Sequence, residues 1–328
     1  MRVLVTGGGG FVGSNTVTVA AGRGDHVVAT VRGDPPPEPE PSCRYVQVDL
    51  LDDRAVRRAV ADSRPDVIVH TAIWNDFTGI YADRAKAWAS YVGVTRTLSV
   101  EANRVRAALV TVSTDWVFDG TQSGATENTP PNPINYYGVL KAASELVTLE
   151  RAQEPVVARI AGVMGVHRAG LEMPRRQDAG FGYFVASVVE ALQSGREFAV
   201  WESEAINMVA TPSLASLSSE WMLDLAGQGR RGIFHCCGGE ATSRVELAHA
   251  TAAAFGLDPS LITTAAPDPA QIPPAPVPRD TSLDASETAR TLGRRAPSVR
   301  ELLDRFVRER AGSASRSRHD GRRRAGRQ

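Results

Sequence analysis

Apolar and polar positions alternate between two periods along this chain. Short apolar, β-branched runs occupy Arg2–Thr6, His26–Val31, Tyr45–Val48, Asp66–Thr71, Ala108–Val112, Val156–Ile160 and Gly232–Cys236. Runs of this length and composition read as buried strands. Between and after them lie stretches of helical period: Phe11 to about Ala21, Asp53–Ser63, Ala82–Asn103, Val139–Arg151, Phe184–Gly195, Ser213–Leu225, Ser243–Phe255 and Ser298–Arg310. Strands alternating with helices predict an α/β protein built on a doubly wound parallel sheet. Residues 35–41, 129–135, 168–182, 207–212 and 265–278 carry the proline, glycine and asparagine expected of loops.

Composition narrows the class. The chain has 328 residues, 42% of them apolar, with 37 basic and 37 acidic side chains. That length suits a large α/β domain with an appended lobe. Zero net charge gives no bulk attraction for nucleic acid or membrane, and no apolar run reaches membrane-spanning length. Cys43, Cys236 and Cys237 lack metal-ligand spacing, so no metal is expected. Without a signal-peptide pattern at Met1–Thr6, a reducing cytoplasm is the expected location. Residues 311–328 are Ser-, Gly- and Arg-rich and should be a disordered basic tail. Solvation is the simpler account of its arginines than contact with RNA or membrane.

The first strand runs into Gly7-Gly8-Gly9-Gly10-Phe11-Val12-Gly13 and then a helix. Two fingerprints fit: G-x-G-x-x-G from Gly8, and T-G-x-x-G-x-x-G from Thr6. Both place backbone amides and a helix N-terminus against a pyrophosphate, which makes the sheet Rossmann-type. The second strand ends Thr30-Val31-Arg32, with Asp34 beyond it. Arg32 in place of an acid favours NADPH, while Asp34 keeps NADH open. Asp49 and Leu50, Thr71 and Ala72, Ser113, and Ile160 end later strands and should border the cofactor. Trp74 and Asn75 follow one of these ends and are candidates to face substrate; a packed indole is the simpler account of Trp74. Pro35 to Pro41 reads as an exposed surface insertion.

The decisive stretch is Val112 to Lys141. Ser113-Thr114-Asp115-Trp116 ends the strand, and Tyr137 and Lys141 lie four apart on the next helix. A hydroxyl, a phenol and an ammonium converging at one point suit reduction or oxidation of a carbonyl. Tyr-x-x-x-Lys alone is common on solvated helices. Here Lys141 is one of two lysines, with Lys86, in a chain that otherwise uses arginine.

With these motifs the chain resembles the extended short-chain dehydrogenase/reductases, and within them the dTDP-4-dehydrorhamnose reductase family. Ser113–Gly120 is similar to that family's S-T-D-x-V-F-D-G, and Pro133-x-Asn135-x-Tyr137-Gly138-x-x-Lys141 to its loop and catalytic helix. Ala210-Thr211-Pro212, Gly232-Ile233-Phe234-His235 and Arg279–Asp284 extend the likeness over about residues 1–308. Leu140, Ser144 and Tyr91 depart from the family's usual Ser, Gly and Asn, and 168–182 is longer than expected.

The resemblance implies NAD(P)H-dependent reduction of the 4-keto group of a nucleotide-linked 4-keto-6-deoxysugar. Tyr137 would be the general acid, Lys141 would lower its pKa and bind the nicotinamide ribose, and Thr114 would hold the carbonyl oxygen. A charge ~4 Å away at an effective dielectric of ~20 is worth ~4 kcal/mol, roughly three pKa units. That would bring the phenol from ~10 towards ~7. Asp115 and Trp116, with Arg168, Arg175 and Arg176 on the long loop, are candidates for the substrate. Trp116 stands where related 4,6-dehydratases carry a second carboxylate. A nucleotide-sugar epimerase and a non-catalytic dinucleotide-binding regulatory subunit are the alternatives, and a homodimer is a candidate assembly. The expected organisation is a cofactor domain of residues 1–162 that also receives about 211–237. A substrate lobe would comprise 163–210 and 238–310.

Overall fold

The computed structural model describes residues 1–170, 177–273 and 275–325, the stretch 313–325 as backbone only. In the first half, β1 (Arg2–Thr6), α1 (Phe11–Gly22), β2 (His26–Val31) and β3 (Cys43–Gln47) are followed by α2 (Asp53–Ser63) and β4 (Val67–His70). Three short turns of helix come next, α3 (Phe77–Ala82), α4 (Arg84–Trp88) and a π-helical turn (Ala89–Gly93), leading into α5 (Val94–Val105). Then come β5 (Ala108–Thr114), α6 (Tyr136–Arg151) and β6 (Pro155–Ile160). The second half adds β7 (Val163–Met164), α7 (Phe184–Gln193), β8 (Phe198–Trp201), β9 (Val209–Ala210), β10 (Ser213–Leu214) and α8 (Ala215–Gly227). It closes with β11 (Gly232–His235), β12 (Thr242–Ser243), α9 (Arg244–Phe255), β13 (Ile262–Ala265), β14 (Asp280–Thr281), α10 (Ser286–Thr291) and α11 (Val299–Ala325).

Seven strands form one sheet in the order β11-β6-β5-β4-β1-β2-β3, every pairing parallel. Order reverses between β1 and β4, so the crevice at the C-terminal ends of these strands is where such sheets bind ligands. The expected doubly wound α/β sheet is therefore observed. Its strands are apolar on both faces because helices cover both: Val5, Val69 and Val110 belong to one core, Leu4, Ile68 and Leu109 to the other. A separate core joins Phe184, Val188, Leu247, Leu303 and Phe306 from α7, α9 and α11. Around it lie the small pairings β7–β10, β8–β13 and β12–β9–β14.

Three local expectations change. The continuous helix over Ala82–Asn103 is interrupted at Asp83, whose side chain caps α4 by accepting from the Lys86 amide, and widens into the π turn. Helix α6 starts at Tyr136, earlier than Val139, because Asn135 accepts from the Gly138 amide at 2.9 Å. Helix α11 runs on to Ala325, past the Ser298–Arg310 helix expected. The pairing of β8 with β13 was not foreseen, since each is four residues long and only a distant partner defines it.

Beneath the sheet's C-terminal edge lies a buried ion pair. Arg159 of β6 donates to Glu145 of α6 from Nε at 2.9 Å and Nη2 at 2.8 Å, and both side chains are at most 2% exposed. Ser113 donates to the same carboxylate at 2.5 Å. Removing one partner strands a buried charge. Glu145→Leu is expected to cost about 3–5 kcal/mol in urea unfolding, and adding Arg159→Met should recover much of it. A loss below 1 kcal/mol would contradict this account. Chain truncation after Gly312 should leave the melting temperature unchanged, because it keeps the contacts of Arg305 with Glu309 and of Arg310 with Gln193.

Candidate active site

A groove of about 1070 Å³ opens along the C-terminal ends of β1, β2, β4 and β5. At its floor, Gly7 has φ +72°, and a Cβ there would sit 2.8 Å from Ala72 Cα. A Cβ on Gly13 would meet the Gly7 carbonyl oxygen at 2.1 Å. Glycine is thus needed both for the backbone conformation and for close packing. Helix α1 begins at Gly10 with no side-chain cap and no acid in its first turn. Its N-terminal residues Gly10 to Gly13 line the groove, and a helix N-terminus fits an anion. Arg32 is exposed on the rim and pairs with no acid among the described residues.

The expected cofactor residues Gly7, Gly10, Phe11, Val12, Gly13, Arg32, Asp49 and Leu50 line this groove. So do Thr71, Ala72, Ser113, Tyr137, Lys141 and Ile160. Among the substrate candidates, Trp74, Asn75, Asp115 and Trp116 line it as well. Arg168 does not. It pairs with Glu309 at 3.2 Å and lines a second cavity between α1, α8 and α11, whereas its neighbour His167 lines the groove. Arg175 and Arg176 lie outside the described residues. Pro35, Pro36 and Pro37 line the groove as well; Pro35 and Pro37 are exposed, as expected of this loop, and Pro36 is buried. The Glu38 amide reaches the Ala169 carbonyl at 3.5 Å, so the loop is fastened to the second half of the chain.

At the deep end, Tyr137, Lys141 and Glu145 follow one another at four-residue spacing on α6 and face β5. Lys141 is buried and donates to the Val112 carbonyl at 2.8 Å. Burial lowers its pKa to about 8, opposed by Glu145. Burial pushes the Tyr137 phenol above its ordinary value, opposed by Thr114 and reinforced by Asp115. The expected depression towards neutrality by Lys141 is therefore corrected. Desolvation dominates, and the phenol keeps its proton at neutral pH. The Thr114 hydroxyl donates to Asp115 at 2.9 Å, so its proton must turn from Asp115 before it can reach a carbonyl. Burial raises Asp115 to about 6. His70, bonded to Thr6 at 2.7 Å, is lowered to about 3 by burial and by Lys141.

Aromatic rings surround Tyr137. Phe77 lies 5.5 Å away, Trp116 6.0 Å and Tyr91 6.2 Å between centroids. His167 and Tyr183 pack on Phe11 of the glycine loop at 5.6 and 5.1 Å. Arg244 of α9, wholly buried, donates to the carbonyls of Asp178 at 2.7 Å and of Gly180, and holds this groove wall against the second core. Phe77, His167, Asp178, Tyr183 and Arg244 carried no sequence signal. His167 and Tyr183 reach the glycine loop, and Phe77 reaches Tyr137, only in three dimensions. Tyr183, at φ +57°, takes a conformation no pattern forecasts.

A model of the RmlD substrate binding domain family matches residues 1–311. The chain belongs to that family. It is the family whose motifs the Ser113–Gly120 stretch resembles. Among relatives, a methionine adenosyltransferase 2 subunit beta of Bos taurus is 30% identical over 318 residues, spanning 93% of this chain and 88% of its own. A dTDP-4-keto-6-deoxy-D-glucose reductase of Streptomyces niveus is 30% identical over 264 residues, 80% of this chain and 81% of its own. The crystal structure of a hypothetical dTDP-4-dehydrorhamnose reductase from Sulfolobus tokodaii superposes with a TM-score of 0.73 at 25% identity. It covers 91% of this chain and 97% of that one. No helix among the described residues of this RmlD-family chain is long and apolar enough to cross a membrane, and none of their His, Cys, Asp and Glu side chains cluster as a metal site.

The raised Asp115 pKa predicts a sign for stability. Its folded value of about 6 lies above the ordinary 3.8, so the folded state binds the proton more tightly. Wild type should lose stability as pH rises from about 4 to 6. Asp115→Asn should escape that share of the loss, so its melting temperature relative to wild type should rise across the window. A pH-independent difference would refute the assignment.

Proposed function

We propose that this protein is an NAD(P)H-dependent ketoreductase acting on the 4-keto group of a nucleotide-linked 4-keto-6-deoxysugar. The observation that carries the reading is the convergence of Thr114, Tyr137 and Lys141 at the deep end of a groove floored by the glycine loop. A subunit that only binds dinucleotide has no need for all three. The dinucleotide fits the uncapped α1 N-terminus, the close approach at Gly7 and Gly13, and Arg32 on the rim, which favours NADPH. When bound, the cofactor supplies hydride to the carbonyl carbon.

The chain supplies the rest. Tyr137 donates its phenolic proton to the carbonyl oxygen, and burial holds that proton in place until it is needed. Lys141, fixed by the Val112 carbonyl, supplies a cation one helical turn from Tyr137 that favours the phenolate left behind. Thr114 hydrogen-bonds the carbonyl oxygen once its proton turns from Asp115. Trp116 and Phe77 flank Tyr137 and exclude water from its ring. The likeness to methionine adenosyltransferase 2 subunit beta over 93% of the chain favours a second reading, a regulatory subunit that binds dinucleotide and a partner enzyme.

Assay with dTDP-4-keto-6-deoxyglucose and NADPH separates the two. Tyr137→Phe should keep its fold and cofactor affinity while turnover falls ~10²–10⁴-fold, the usual share of general acid catalysis. Near wild-type turnover in that variant would sink the mechanism. No turnover by wild type, with stable binding to a methionine adenosyltransferase, would favour the subunit. In the active enzyme, Arg32→Ala should shift the ratio of kcat/KM values from NADPH towards NADH. An unchanged ratio would remove Arg32 from the cofactor site.

A further inference from the structure

Tyr91 lies in the middle of the five-residue π-helical turn between α4 and α5. Such wide turns are rare and frequent at functional sites. The side chain is 4% exposed. Its hydroxyl donates to the Trp74 carbonyl at 3.0 Å. Its ring lies under Lys141 Nζ, 5.7 Å from the centroid, and meets the Tyr137 ring nearly at right angles, at 84°. One side chain therefore touches the ammonium, the phenol and the loop carrying Trp74 and Asn75.

We infer that Tyr91 is a positioning residue, whose aromatic face stabilises the Lys141 ammonium while its hydroxyl pins the ring to the Trp74 carbonyl. The groups around Lys141 leave the ring a clear share of that task. On α6, Glu145 attracts the ammonium but divides its charge with Arg159. On β4, His70 is neutral above pH 4 and gives no attraction. On β5, the Val112 carbonyl accepts one of three ammonium protons. Tyr137 and Tyr91 both have raised pKa values and remain neutral phenols. Burial meanwhile drives the lysine towards its uncharged form. A ring face beneath a desolvated ammonium opposes that drive through its quadrupole.

Only the kinetic consequence of this inference rests on the ketoreductase reading. The chain has two lysines, Lys86 and Lys141. Carbon-13 labelling of lysine therefore gives two resonances in the full chain, assigned with Lys86→Arg. Lys86 is exposed and serves as the reference. Tyr91→Phe keeps the ring and should leave the Lys141 midpoint in place. Tyr91→Leu and Tyr91→Met fill the space without a π face and should lower it by roughly half a unit to 1.5 units, the range of a cation–π contact. The alkaline limb of kcat/KM should move with it, and a merely structural defect would not move it. The inference is overturned if the folded Leu and Met variants titrate Lys141 as wild type does. Absence of turnover by wild type overturns the proposed function instead, and leaves the resonance midpoints to decide Tyr91.

Discussion

The position of α6 against β5 and β6 is the constraint on which the site depends. Lys141 bonds the Val112 carbonyl, Glu145 takes both Ser113 and Arg159, and Thr148 bonds Thr111 at 2.8 Å. These contacts stand in sequence along one helix face, all of them buried. Sliding or rotating the helix would leave a carboxylate, a guanidinium and an ammonium unpaired in the interior, which is strongly unfavourable. Hydrophobic packing alone is less exacting, because leucine tolerates small shifts. The buried polar ladder sets the helix register, and Tyr137, one turn before Lys141, inherits its place from it.

The second half of the chain acts on the groove through its walls. Its own apolar core ties α7, α9 and α11 together, and Arg244 extends from that core to the carbonyls of Asp178 and Gly180. Arg244 also lies over Phe181 at 5.0 Å and Phe184 at 5.4 Å. The residues around Asp178, Phe181 and Tyr183 are therefore held from behind by a buried cation. Across the groove, Pro35–Pro37 form the facing wall. The groove walls are thus assembled from distant segments, while its deep end is built from strand ends and one helix.

Desolvation sets the electrostatics at the deep end. The same desolvation that raises Tyr137 lowers Lys141, so their proton affinities move apart: the phenol holds its proton more tightly and the ammonium less. In the proposed reduction, the phenol gives up its proton as an alkoxide forms, and the ammonium one helical turn away favours the phenolate left behind. Asp115 adds a titrating group that shares a hydrogen bond with Thr114.

The sequence by itself determined the elements whose cause is local. Period and composition placed the seven strands of the sheet, the glycine loop announced its own steric need at Gly7 and Gly13, and the spacing of Tyr137 and Lys141 put them on one face. Twelve cofactor candidates named from strand ends and the glycine loop line the groove for that reason: in a parallel sheet, where a strand ends decides what borders the crevice. Tertiary structure decided everything set by contact between distant segments. It turned Arg168 towards Glu309 and away from the groove, made a wall of Pro35–Pro37, and brought His167 and Tyr183 onto Phe11. It also reversed the expected pKa of Tyr137. The charge on Lys141 is legible from one letter, whereas the burial that outweighs it is a property of the packed site.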